Sequence, residues 1–151
     1  PLPFRSVLVT GPFMPKDQRI SVFKRAKKLG VRAYHFYRQM EKLLASADLV
    51  ISMGGYNTLC EILNQGTVAL LIPRETPRME QLIRAERFRR QNLIDYIPWH
   101  NLSPKSMGEK VFQLLDHPEP FIAAIHAFQR NGMTGFEIMR SRLWEFRNGH
   151  R

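Results

Sequence analysis

Leu49-Val50-Ile51-Ser52-Met53-Gly54-Gly55-Tyr56-Asn57-Thr58-Leu59-Cys60-Glu61-Ile62 is the stretch on which the reading of the fold turns. Its first four residues are a short, mostly apolar run of the kind that forms a buried strand. Two glycines follow, and residues without a Cβ let the backbone make tight turns that other residues avoid. From about Tyr56 to Asn64 the chain reads as a helix, and Gly66 is placed to stop it. Strand, tight turn and helix in immediate succession make a βα unit.

The same alternation extends in both directions. Upstream, Ser6 to Thr10 reads as a strand closed by Gly11-Pro12. A helix from Gln18 to Leu29 follows, with Asp17 as N-cap, Ile20, Phe23 and Leu29 on one side and Gly30 as its stop. Val31 to Tyr37 is a second strand and Gln39 to Ser46 a short helix. Downstream, Thr67 to Ile72 is a nearly all-apolar strand ended by Pro73, followed by a helix from Met79 to Gln91 and a weaker strand from Leu93 to Ile97. Ser103-Pro104 supplies an N-cap and first turn for a helix to Leu115. Another helix covers Pro120 to Arg130. A last one opens on the capping box Thr134-Gly135-Phe136-Glu137, with Phe136, Met139, Leu143 and Phe146 on one face. The fold class is therefore α/β: a Rossmann-like parallel sheet of about five strands with helices on both faces. Ligands of such sheets bind at the carboxyl ends of the strands. There lie Gly11-Pro12, Tyr37-Arg38, Gly54-Gly55 and the loop from Pro73 to Arg78.

Composition narrows the classes without choosing among them. A chain of 151 residues, 44% hydrophobic and 11% aromatic, suffices for one packed domain and argues against disorder. No apolar run reaches the roughly 20 residues of a transmembrane helix. The lone Cys60 excludes an internal disulfide and suits a reducing, cytoplasmic compartment. The formal net charge of +10 fits nucleic acid, an anionic membrane, a phosphorylated ligand or an acidic neighbouring domain equally well. Histidines at 35, 100, 117, 126 and 150 lack metal-ligand spacing, so no metal is expected. His35 reads as a packed or hydrogen-bonded strand residue, and Cys60 as a small core hydrophobe. Arg84, Arg87, Arg89 and Arg90 share one helix and read as a solvated face, with contact to an anionic membrane as the functional alternative.

The Gly54-Gly55 turn carries the chemistry. Glycine lets an anion approach the backbone, and the first N–H groups of the following helix, near Tyr56, Asn57 and Thr58, point at it with the helix dipole behind them. A diphosphate fits that environment, and Thr58 adds a hydroxyl donor. Glu61 lies one turn deeper on the same face, where its carboxylate would repel phosphate but accept hydrogen bonds from a ribose diol. Alone, the turn is equally well ordinary βα geometry.

Taken with Ala47-Asp48 before it and Gly66, Pro73 and Glu80-Gln81 after it, this segment resembles the donor-binding C-terminal domain of GT-B glycosyltransferases of the family-28 kind. The match is specific from about Phe36 to Phe88. The resemblance implies that backbone groups at Tyr37 hold a uracil ring, that the amides of Gly55 to Thr58 meet the diphosphate with Gly54 in the same binding turn, that Glu61 binds the ribose, and that Glu80 and Gln81 bind donor-sugar hydroxyls. It implies a UDP-sugar as donor substrate rather than a cofactor, in a cytoplasmic, membrane-peripheral setting; no nucleic-acid partner is expected, because neither a known nucleic-acid motif nor an aromatic-interleaved basic strand pair is present. Many relatives carry His or Arg just before the glycine pair, where this chain has Met53. Arg74 and Arg78 on the neighbouring loop are the candidate replacements, against the alternative of solvated loop arginines.

The chain opens Pro1-Leu2-Pro3 and runs almost directly into a strand that aligns with the second βα unit of such domains. The expectation is one donor-binding domain over residues 1–151, a fragment lacking its first βα unit and the N-terminal acceptor domain. Because the resembling enzymes keep the catalytic base on that half, no catalytic residue is nominated here. Trp144, Arg140, Arg142 and Arg147 are candidates for packing on the missing domain. Two rivals remain open: a UDP-sugar epimerase-like enzyme on the same fold, and a non-enzymatic basic α/β binding module.

Overall fold

The computed structural model describes residues 4–76 and 79–130. Within these the chain forms two compact units, Pro1–Met40 and Glu41–Arg151. The helix expected after Thr134, and Arg78, Arg140, Arg142, Trp144 and Arg147 with it, lie outside the described residues.

In the first unit, β1 (Val7–Val9) and β2 (Arg32–Tyr34) pair in parallel with Val7 opposite Arg32, joined by α1 (Lys16–Lys28). Parallel neighbours need a crossover of this kind. The expected cap moves: α1 begins after Pro15, and Asp17 lies inside its first turn, where a carboxylate favours the positive helix end. Gly30, at φ +71°, follows the helix end, a left-handed conformation that glycine reaches without strain. The apolar side expected of α1 is hardly covered. Ala26 is its one buried residue, while Ile20 and Leu29 are exposed.

The second unit holds α2 (Met40–Ala45, beginning at the unit boundary) and then β3 (Val50–Ser52), α3 (Tyr56–Asn64), β4 (Ala69–Leu71), α4 (Glu80–Arg89) and β5 (Asp95–Tyr96). A short 3-10 turn precedes α5 (Pro104–Asp116) and α6 (Glu119–Arg130). Its strands form a parallel sheet in the order β3-β4-β5, with Ile51 opposite Leu70 and Leu70 opposite Asp95. The five expected strands are thus all present, parallel within each unit and hydrogen-bonded as a pair and a trio. β4 is central in the trio, and Ala69, Leu70 and Leu71 are completely buried, which explains its apolar composition.

The rest of the second unit's buried core includes Leu59, Ile62 and Leu63 of α3, Leu82 and Ala85 of α4, Leu93, Ile94 and Ile97 near β5, and Val111, Leu114 and Ile125 from α5 and α6. Ser103 caps α5 as expected, its hydroxyl accepting from the Ser106 N–H at 3.0 Å. Asp95, buried on β5, accepts from Arg89 Nε at 2.9 Å and Lys110 Nζ at 2.7 Å, which ties α4 and α5 to the sheet edge.

Candidate functional site at the turn between β3 and α3

The sequence places a tight glycine turn between a half-buried strand end and a helix, and three neighbours determine its shape. Gly54 sits at φ +74°, the left-handed region. A Cβ built there would lie 2.9 Å from Leu71 Cδ1 on the central strand, so both backbone and packing demand glycine. The Gly54 N–H donates to Ser52 Oγ at 3.2 Å. Its carbonyl accepts from Arg84 Nη1 of α4 at 2.9 Å. Both polar backbone groups of Gly54 are therefore satisfied within the protein.

Gly55 is the N-cap of α3 and has no side chain to offer a capping bond. The amides of Tyr56, Asn57 and Thr58 precede the first i→i−4 bond, which Leu59 N–H makes to Gly55 O at 2.9 Å. No described group accepts from them or from the Gly55 N–H. The helix start is thus an uncapped set of donors with Tyr56, Asn57 and Thr58 exposed around it, an arrangement that attracts an anion. Gly54 itself is buried and Gly55 half-buried, so the exposed part of the turn is its helix side, from Tyr56 to Thr58.

Glu61, one turn on, is exposed, and its carboxylate has no ion-pair or hydrogen-bond partner among the described residues. It shares with Thr58 the outward face of α3, whose inward face is Leu59, Ile62 and Leu63. The far end of that helix is pinned as well, Gln129 Nε2 of α6 donating to Leu63 O at 2.7 Å. Cys60, expected in the core, is only half-buried, because it sits at the boundary of the two faces.

Gln81 and Arg74 meet in a way the sequence did not announce. The Arg74 N–H donates to Gln81 Oε1 at 2.9 Å, so the Gln81 amide oxygen braces the β4–α4 loop. The Arg74 side chain is exposed, with no described partner, and Glu80 is exposed at the first residue of α4. Glu75 accepts from the Trp99 N–H at 2.9 Å, a second brace on the same loop.

Tyr37 belongs to the first unit, where its ring stands edge-on to Tyr34 with centroids 5.1 Å apart. His35, in the same unit, is half-buried beside the Arg19 guanidinium. Two surface clefts of about 290 and 340 Å3 lie elsewhere, one along β5 and α5 and one around Asp48, Gly66 and Leu114. Neither includes the turn. Among the described residues no three His, Cys, Asp or Glu side chains gather as metal ligands, and no helix is long and apolar enough to cross a membrane.

The solvated face expected of the α4 arginines divides in two. Arg84 grips Gly54 and stacks over Tyr56, its Cζ 5.5 Å from the ring centroid, while Arg89 pairs with Asp95. Arg87 and Arg90 alone of the four are exposed. Arg84 was the residue that sequence reasoning missed. The available signal was its spacing, three residues beyond Gln81 and four beyond Glu80, which sets it on the face of α4 already assigned to the site.

Comparison with known proteins supplies an independent view. The family described as "Glycosyltransferase family 28 C-terminal domain" matches residues 4–136. A UDP-N-acetylglucosamine--N-acetylmuramyl-(pentapeptide) pyrophosphoryl-undecaprenol N-acetylglucosamine transferase of Streptococcus uberis is 27% identical over 134 residues, covering 83% of this chain and 37% of its own. Its namesake in Streptococcus pneumoniae serotype 19F is 32% identical over 89 residues, 58% of this chain and 25% of its own. The chain therefore spans well under half the length of these relatives. Among solved structures, glycosyltransferase VinC in complex with DTDP is similar at a TM-score of 0.64 and 20% identity, over 86% of this chain and 37% of that one. The calicheamicin glycosyltransferase CalG4 is similar at 0.65 and 18%, over 98% and 44%. These two likenesses establish the fold.

Proposed function

The chain belongs to the glycosyltransferase family 28 C-terminal domains, and from that premise we propose that it is the part of a glycosyltransferase that holds a nucleoside-diphosphate sugar, of the uridine class, for transfer to an acceptor. The observation that carries the reading is the uncapped start of α3 behind the Gly54-Gly55 turn, with Glu61 unpartnered one turn further along. Donors that need no rearrangement to meet a diphosphate are what stabilises the charge growing on a leaving nucleotide. Glu61 would accept from the ribose hydroxyls. The Gln81 NH2 and Glu80 would meet the sugar.

The family premise does not favour the epimerase-like enzyme or the basic binding module. In this reading an acceptor-binding domain completes the active site and carries the base, so this chain binds donor without turning it over. The setting is cytoplasmic, and peripheral to a membrane if the acceptor is lipid-linked, as the curated relatives' names describe theirs.

A thermal-shift panel of nucleotides and nucleotide sugars tests the proposal. UDP or UDP-sugars should raise the melting temperature, and Glu61→Ala should remove that rise. Stabilisation by adenine dinucleotides instead, or by no nucleotide, defeats it.

A further inference from the structure

The Gly54–Gly55 peptide is the one link in the turn that could face either way. A planar trans peptide directs its C=O and its following N–H to opposite sides. Between two glycines that plane can rotate at little cost, since neither residue has a Cβ to oppose it. One orientation presents the Gly55 N–H to an anion at the helix start, and the reverse presents the Gly54 carbonyl, which repels it.

A side chain from another helix chooses between them. Arg84 Nη1 holds the Gly54 carbonyl at 2.9 Å, and its guanidinium carbon lies 5.5 Å from the Tyr56 ring centroid. The cation is thus anchored to the residues on either side of Gly55. The Gly55 N–H must then point away from Arg84, and no described group accepts from it. On the other flank, Ser52 Oγ occupies the Gly54 N–H, so that amide cannot compete for the anion.

We propose that Arg84 is a positioning residue for the phosphate-binding turn: by holding the Gly54 carbonyl it fixes the peptide plane and directs the Gly55 N–H at the donor's diphosphate. The inference rests on the donor reading above and assigns the cause of the turn's orientation. It also accounts for arginine at this position. A planar guanidinium donates to a carbonyl while stacking on an aromatic ring, whereas an ammonium does only the first.

Titrations of the chain with UDP and with uridine separate this role from a merely structural one. Arg84→Met should weaken UDP binding by about tenfold, the scale of one hydrogen bond to a charged group, and leave uridine binding unchanged. Arg84→Lys should recover part of the loss. Equal losses for UDP and uridine, or no loss for either, overturn the inference. A second measurement needs no ligand. In 15N-resolved NMR spectra of the free protein, Arg84→Met should shift the Gly55 amide resonance and leave that of Gly66 in place. An unmoved Gly55 resonance overturns the inference whatever the chain binds. If the wild-type protein binds neither UDP nor any UDP-sugar, the donor reading falls and takes this inference with it. If the wild type binds UDP and Arg84→Met binds it equally well, the inference falls alone.

Discussion

The unit Pro1–Met40 and the unit that begins at Glu41 are written in the same strand-and-helix pattern, yet they bury their side chains very differently. Of the apolar residues buried among the described residues, Ala26 alone belongs to the first, while Leu44 to Ile125 belong to the second. In the first, Leu29 is 67% exposed and Phe13 97%. The physical difference is the central strand. β4 has a neighbour on each side and contributes three fully buried residues, whereas β1 and β2 have only each other. A short chain segment also has too little apolar area to enclose a core. Hydrophobic spacing therefore sets which elements form, and the number of layers around them sets what is buried.

Substitutions in the two units should reproduce this contrast. The largest effect belongs to Leu70→Ala on β4, which removes a wholly buried side chain and should cost about 3 kcal/mol in chemical denaturation. A loss below about 1 kcal/mol would mean that the second unit's core is not close-packed. Next come two glycines with nearly the same backbone. Gly54 at φ +74° meets Leu71, while Gly30 at φ +71° has nothing within 4 Å of a built Cβ. Gly54→Ala should cost about 2–3 kcal/mol, because strain and clash combine and Leu71 is too buried to yield. Gly30→Ala should cost about 1 kcal/mol, the strain alone. Equal values for the pair would remove the packing argument at Gly54. The smallest effect is expected at Ile20→Ala on α1, within about 0.5 kcal/mol, since that side chain is already 46% exposed. Amide hydrogen exchange sharpens the same comparison without mutation. The amides of β4 should exchange only through global opening and those of β1 and β2 much faster.

Legibility followed this division. α3 was predicted from Tyr56 to Asn64 and is found there, because a glycine turn before it and a terminal glycine after it bound it at both ends. Ser103 was readable as a cap for the same reason, a local hydrogen bond between near neighbours. Asp17 was misread because Pro15 can end the preceding loop without a side-chain cap, leaving the acid inside the helix. The buried side assigned to α1 was misread because spacing records which residues share a face, not whether anything covers it.

At the site, residue types alone located the turn and nominated Glu61, since glycine pairs and a carboxylate at helical spacing are features of one continuous segment. Arg84 was taken for a solvated residue because its partner is 30 positions away. Gln81 was nominated for a sugar, yet its oxygen also braces Arg74, a bond across the loop between them.

What the sequence by itself determined is the order of βα units and the place of the glycine turn, because propensity, periodicity and backbone freedom act over a few residues. Only the tertiary structure decided which way the turn's peptide faces, which arginines are engaged and which apolar faces are covered. Those outcomes depend on side chains brought together from distant segments, and the energy of such contacts does not exist until the chain has folded.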